Sequence, residues 1–165
     1  MCGIFGEFGD GLLDKKCFVE LNKLSSKRGP DMSGYWTDQE ICQLGFNRLA
    51  IIDPSEYANQ PMISPDSRWA MVMNGEIYNF HDLRNILGKT KKEFNSDSDS
   101  EVILHAFMIL GIKETLSIIN GIFAIGLLDR NNHTMHLIRD FAGIKPLYYS
   151  VNNNDTSAVK EKITR

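Results

Sequence analysis

Apolar residues along the chain fall into short blocks separated by turn residues, and the period inside each block predicts its structure. Gly3 to Phe8 reads as a buried strand. Leu12 to Lys27 reads as a helix, because Leu13, Cys17, Leu21 and Leu24 recur at helical spacing, which places Cys17 in the core. Arg28-Gly29-Pro30-Asp31 ends it, since a proline keeps the preceding residue out of the helical region. A hairpin follows, with arms Gly34 to Asp38 and Ile41 to Asp53, the second rich in β-branched and large apolar residues and including Cys42 as a structural residue. Pro54 to Asp66 has no period and reads as a loop.

Arg68 to Met73 is a second buried strand, running into Asn74-Gly75, a dipeptide that signals a turn. Asn79 is placed to cap a helix through Leu87, with Leu83, Ile86 and Leu87 on one face. Lys89 to Ser100 is a polar loop ending in Ser96-Asp97-Ser98-Asp99-Ser100-Glu101, whose serines and acids suit the start of the apolar helix Val102 to Leu110. The sixth-position glycine and twelfth-position glutamate of a calcium loop are absent from that segment. Gly111 interrupts, and Lys113 to Ile119 forms a second short helix. Gly121 to Asp129 is a core strand covered on both faces, and Asn131-Asn132 turns it into Thr134 to Asp140. After a turn at Gly143 to Pro146, Leu147-Tyr148-Tyr149 starts a last strand, and from Ser150 the chain is polar.

Composition narrows the partners. A chain of 165 residues, 42% hydrophobic and 24% charged, has room for a real core. Its net charge of −3 provides no basic footprint, so nucleic acid and anionic membrane are not expected partners. No apolar run reaches membrane-spanning length and no basic-then-apolar leader opens the chain, which fits a cytoplasmic protein. Cys2, Cys17 and Cys42 form an odd, scattered set, unlike a disulfide framework or a thiolate zinc site. His133 and His136 would point to opposite faces of a strand, which argues against a metal site.

The candidate chemistry sits at the start. Removal of Met1 would leave Cys2 with both a thiol and a free α-amine. Such groups titrate near ~8.5 and ~8, so the residue can pass its proton to its own amine at neutral pH and act as a thiolate nucleophile. Gly3 and Gly6 flank Ile4-Phe5, a pair that would hold this cysteine at the end of a strand. Arg48 lies in an otherwise apolar run and needs a partner, either an internal acid, the commoner outcome, or a ligand carboxylate. The Asn74 amide and Gly75 N–H could converge on a developing oxyanion.

Met1-Cys2-Gly3-Ile4-Phe5-Gly6, Arg28-Gly29-Pro30-Asp31, Asn47-Arg48-Leu49 to Asp53, Asn74-Gly75-Glu76-Ile77-Tyr78-Asn79, Ser98-Asp99-Ser100-Glu101, Gly121 to Asp129 and Arg139-Asp140 to Tyr148 occur in that order. Together they resemble the glutaminase domain of glutamine-hydrolysing asparagine synthetase, within the class II glutamine amidotransferases. The resemblance implies an α+β fold, the four-layer αββα sandwich of two antiparallel sheets seen in N-terminal-nucleophile hydrolases. It implies that Cys2 attacks the side-chain amide of L-glutamine and forms a thioester, with Asn74 and Gly75 as the oxyanion hole. Arg48 would then bind the substrate α-carboxylate, Glu76 and Asp99 its α-ammonium, and Leu49, Ile51 and Ile52 would line the pocket. Asparagine biosynthesis in this family delivers the ammonia to activated aspartate on a synthetase domain.

Two departures accompany the match. Lys27 stands where many relatives have a histidine. The resemblance covers residues 1–149, leaving 150–165 as a divergent tail, and the family's next apolar strand and its Ser-Gly-Gly-x-Asp-Ser pyrophosphate loop have no counterpart. The expected fold therefore lacks its last strand or strands. No cofactor is expected in this chain, ATP and Mg²⁺ entering only with a synthetase (ATP-pyrophosphatase) domain or subunit as partner. The alternative is a truncated glutamine-binding or regulatory module with impaired turnover.

Overall fold

Period-two alternation in the strands builds two sheets whose facing sides form one core and whose outer sides carry helices. The computed structural model describes residues 1–88, 94–151 and the backbone of 162–164. The first sheet is β1 (Gly3–Phe8), β3 (Cys42–Arg48) and β2 (Met32–Thr37), in that order and antiparallel. The second contains β4 (Met62–Ile63), β5 (Trp69–Ile77), β6 (Gly121–Asp129), β7 (Thr134–Arg139) and β8 (Lys162–Thr164). All its pairings are antiparallel except β7 with β8, which is parallel. The β7 edge, expected to be bare, thus carries a short strand beside His136 to Ile138.

Between the sheets, Cys42, Leu44 and Phe46 of β3 meet Ala70 and Val72 of β5 and Leu128 of β6. The alternate residues of the second sheet, Met71, Met73, Phe123, Ile125 and Leu127, face α2 (Phe80–Gly88) and α3 (Asp99–Ile118). Burial of such side chains supplies about 1.5–3 kcal/mol each, so these two layers are the main source of stability. Gly111 breaks α3 as expected, with φ +80°. The expected cap at its start is present, Ser98 Oγ accepting from the Glu101 amide at 3.3 Å.

The first helix differs from its expected form. α1 (Lys15–Lys23) starts only after Asp14, whose Oδ1 accepts the amides of Lys16 and Cys17. It buries Phe18 and Asn22, while Leu24 is 81% exposed and Cys17 faces solvent. Phe18 packs on Phe5 with ring centroids 4.8 Å apart. Asn22 is held by Asn47 of β3, whose Nδ2 donates to the Asn22 carbonyl at 2.7 Å and to Ser25 Oγ at 2.7 Å. A buried amide pair thus takes the place of the leucine stripe, and Cys17 is not a core residue. Cys42, read as a structural residue, is fully buried, and burial pushes its thiol far up from the usual range.

Three further expectations change. The second hairpin arm ends at Arg48, so Leu49 to Asp53 form a bend instead of strand. Asn74-Gly75 makes no turn: β5 runs straight through it to Ile77. A Cβ on Gly75 would lie 2.6 Å from Phe123 Cα and collide with the Ile122 carbonyl oxygen, so glycine is required there for close strand approach. Leu147-Tyr148-Tyr149 forms no strand, and Tyr148 is exposed. Residues 89–93 of the expected polar loop, and 152–161 and 165 of the polar tail, lie outside the described part.

Candidate active site

Strand alternation brings the predicted residues to one end of the inter-sheet layer. On β3, Arg48 continues the inward face of Cys42, Leu44 and Phe46; on β5, Asn74 and Glu76 continue that of Ala70 and Val72. Cys2 precedes β1 on the side of Ile4, beside the Arg48 end of its partner strand. These residues, with Gly75, Asp99, Leu49, Ile51 and Ile52, line one cavity of about 260 Å³.

The bend after β3 is fastened to its surroundings at several points. The Leu49 amide points at Cys2 Sγ, 3.4 Å away, and the thiol faces the Leu49 carbonyl at 3.8 Å. Asp31, from the Arg-Gly-Pro-Asp turn, accepts the Ala50 amide. Arg48 forms no ion pair within contact distance among the described residues: Nη1 donates to the Ser55 carbonyl at 2.7 Å and Nη2 to the Asp53 carbonyl. The Asp53 side chain accepts the amides of Ser55 and Asp97, each at 2.7 Å, tying the bend to the segment before α3. Hydrogen bonds from Ser55 and Asp97 hold its carboxyl below the usual range.

The edge of β5 forms the opposite wall. Met73 exchanges hydrogen bonds with the Gln60 side chain, its amide donating to Oε1 at 2.6 Å and its carbonyl accepting from Nε2 at 3.3 Å. Two strand periods on, the Ile77 amide donates to Asp99 Oδ2 at 2.9 Å. Because backbone groups alternate direction along a strand, the Gly75 N–H points out of the same edge, between these two. The buried Asn74 carboxamide makes no hydrogen bond among the described residues, and Glu76 is exposed. Burial raises the pKa of Asp99, hydrogen bonds from Ile77 and Ser100 offset this only in part, and Glu76 adds to the rise. A buried acid destabilised in its charged form, at the wall of a cavity, is matched to a cationic group.

Asn79 does not cap α2 with its side chain. Its Nδ2 donates to the Ile118 carbonyl and its Oδ1 accepts the Asn120 amide, joining the end of β5 to the end of α3. Glu101, read as a helix-start acid, accepts from the amides of Asn95 and Ser96 and so shapes the loop beside Asp99.

A family profile described as a glutamine amidotransferase domain matches residues 1–163. The chain belongs to that family. Among relatives of this amidotransferase domain, a glutamine-hydrolysing asparagine synthetase of Bacillus subtilis is 36% identical over 98% of this chain and 26% of its own length. A putative one of Methanocaldococcus jannaschii is 34% identical over 90% of this chain and 30% of its own. One of Arabidopsis thaliana is 38% identical over 90% of this chain and 25% of its own. The chain thus spans roughly a quarter to a third of the length of the relatives it matches. The solved glutamine phosphoribosylpyrophosphate amidotransferase of B. subtilis shares the fold, with a TM-score of 0.65 at 22% identity over 82% of this chain and 37% of that one. No helix among the described residues is long and apolar enough to cross a membrane.

Several residues of this cavity were not anticipated. Gln60 sits in the proline-bearing loop, Ser100 joins it to Asp99, and Lys145 and Ile122 complete the wall. The segments that hold Ser100, Ile122 and Lys145 stand out in the sequence, but without a role for these three side chains, and the loop that holds Gln60 has no period.

Proposed function

We propose that this domain hydrolyses L-glutamine to glutamate and ammonia through a Cys2 thioester. The observation that carries the reading is the convergence on one cavity of Cys2, Arg48, the Gly75 edge and a buried Asp99 that no cation pairs with among the described residues. In the reaction, the Cys2 thiolate attacks the carboxamide carbon once its own α-amine, freed by removal of Met1, has taken the proton. Asn74 and the Gly75 N–H donate to the tetrahedral oxyanion, the amine returns the proton to the departing nitrogen, and ammonia leaves. Water, deprotonated by the same amine, then cleaves the thioester.

Arg48 binds the substrate α-carboxylate, and Asp99 with Glu76 holds the α-ammonium. The cation supplied by the substrate removes the electrostatic cost of ionising Asp99, which couples recognition to its burial. Leu49, Ile51 and Ile52 form the wall behind the substrate. No cofactor enters these steps. We assign use of the ammonia, on aspartate activated with ATP and Mg²⁺, to a synthetase portion or subunit, in line with the names of the relatives. Ammonia release from glutamine by processed protein tests the reading. Turnover that Cys2→Ser abolishes supports it, and turnover unaffected by Cys2→Ser contradicts it.

A further inference from the structure

The Arg139-Asp140 to Pro146 segment stands out in the sequence, yet the chemistry above leaves it unused. It ends in a buried cation. Lys145 is 9% exposed and borders the Cys2 cavity. Its Nζ donates to Met1 Sδ at 2.9 Å, and no carboxylate pairs with it among the described residues. A thioether is a weak acceptor, so that contact does little to offset the burial of an ammonium.

The turn is built to keep it there. The Asp140 carboxylate accepts the amides of Ile144 at 2.8 Å, Lys145 at 2.9 Å and Phe123 at 3.2 Å, clamping the turn onto β6 next to Ile122. Burial opposes the Asp140 charge, but amides led by those of Lys145 and Ile144 outweigh it and keep this carboxyl ionised below the usual range. Gly143, with φ +65°, holds the left-handed turn conformation that favours glycine.

Only the Met1 side chain and carbonyl separate the sulfur that Lys145 touches from the Cys2 nitrogen. We propose that Lys145 is a positioning residue of the Cys2 centre: once Met1 is gone, its ammonium faces the new N-terminus. There it disfavours a second positive charge on the α-amine and favours the thiolate. A nearby cation leaves the amine neutral and ready to take the thiol proton, and it stabilises the thiolate that this transfer forms. The inference rests on the N-terminal-nucleophile reading above.

The other charges around the centre are engaged elsewhere or screened. Arg48 of β3 is held by main-chain carbonyls, Asp53 of the following bend by two amides and Asp99 of α3 by the Ile77 amide. Glu76 of β5 is exposed, and Arg28 meets the Cys2 carbonyl, at 3.5 Å, in an exposed contact.

The test is the pH dependence of Cys2 alkylation by iodoacetamide, read by peptide mass spectrometry on protein with Met1 removed. Wild type, Lys145→Met and Lys145→Arg are compared. In Lys145→Met the midpoint should move up by about one pH unit, with a roughly tenfold slower rate at neutral pH, while Lys145→Arg stays near wild type. A purely structural role would change the amplitude and leave the midpoint in place. An unmoved midpoint in folded Lys145→Met overturns the proposal; Lys145→Gln serves the same purpose if Lys145→Met does not fold. Alkylation needs no glutamine, so protein that alkylates normally but releases no ammonia contradicts the glutaminase reading and leaves this test intact.

Discussion

Asp31 accepts the Ala50 amide at 2.8 Å, so the Arg-Gly-Pro-Asp turn holds the bend that carries Leu49 against the Cys2 thiol. The contact is exposed, so its loss costs little stability, but it loosens the substrate wall without touching the nucleophile. Asp31→Ala should therefore raise KM for glutamine by roughly tenfold while the protein stays folded. Steady-state kinetics beside a thermal melt check this. An unchanged KM would detach Asp31 from the site.

Asn74 and Arg48 should separate kinetically. Asn74→Ala is expected to lower kcat by on the order of 10² to 10³-fold with little change in KM, because an oxyanion donor acts only as charge develops. Arg48→Ala should mainly raise KM. It should also lower the melting temperature, since the guanidinium ties together the carbonyls of Asp53 and Ser55. The opposite kinetic split would exchange the two roles.

Asp99 sets a pH dependence whose sign follows from its raised pKa. The unfolded chain releases this proton near the ordinary carboxylate value and the empty folded protein only at higher pH. As pH rises through that interval the folded state holds more protons, so this group lowers stability as pH increases, and the cost is complete above the raised value. Glutamine, bringing an ammonium, favours the ionised carboxyl, so affinity should weaken as pH falls through the same interval. Calorimetric titration of Cys2→Ser with glutamine should reveal this slope, and Asp99→Asn should flatten it and weaken binding at neutral pH. An identical slope in Asp99→Asn would place the titrating group elsewhere.

Gln60 and Gly75 bear on the β5 edge. Gln60→Leu leaves the buried Met73 amide and carbonyl without their partner, at about 1–3 kcal/mol per group, and should lower the melting temperature by several degrees. Gly75→Ala forces β5 away from the Ile122 carbonyl, and should cost stability and ammonia release together. A Gly75→Ala protein with wild-type melting and turnover would show that the strands tolerate separation there.

Much of this arrangement was legible in the sequence because strand periods are short and strongly marked. The apolar run Gly121 to Asp129, the break at Gly111 and the inward position of Arg48 all follow from local pattern. What was hidden depends on distant partners. Asn22 is buried because Asn47 reaches it from β3, and no hydrophobic period records an amide pair. Asn74-Gly75 carries turn chemistry, yet its glycine serves the approach of β6. Gln60 looks like a loop residue until its amide is seen completing the edge of β5. Family resemblance, more than local pattern, linked Asp99 to Cys2 before their shared cavity was known.

The central claim is that Cys2, with its α-amine free, is the nucleophile for glutamine. An electrophilic glutamine analogue, applied to processed protein and to protein retaining Met1, with the adduct located by peptide mass spectrometry, tests it most directly. The account predicts stoichiometric labelling of Cys2 in the processed protein alone, blocked by glutamine, with exposed Cys17 and buried Cys42 spared. Labelling chiefly at Cys17 or Cys42, or equal labelling of Cys2 with Met1 in place, would contradict it.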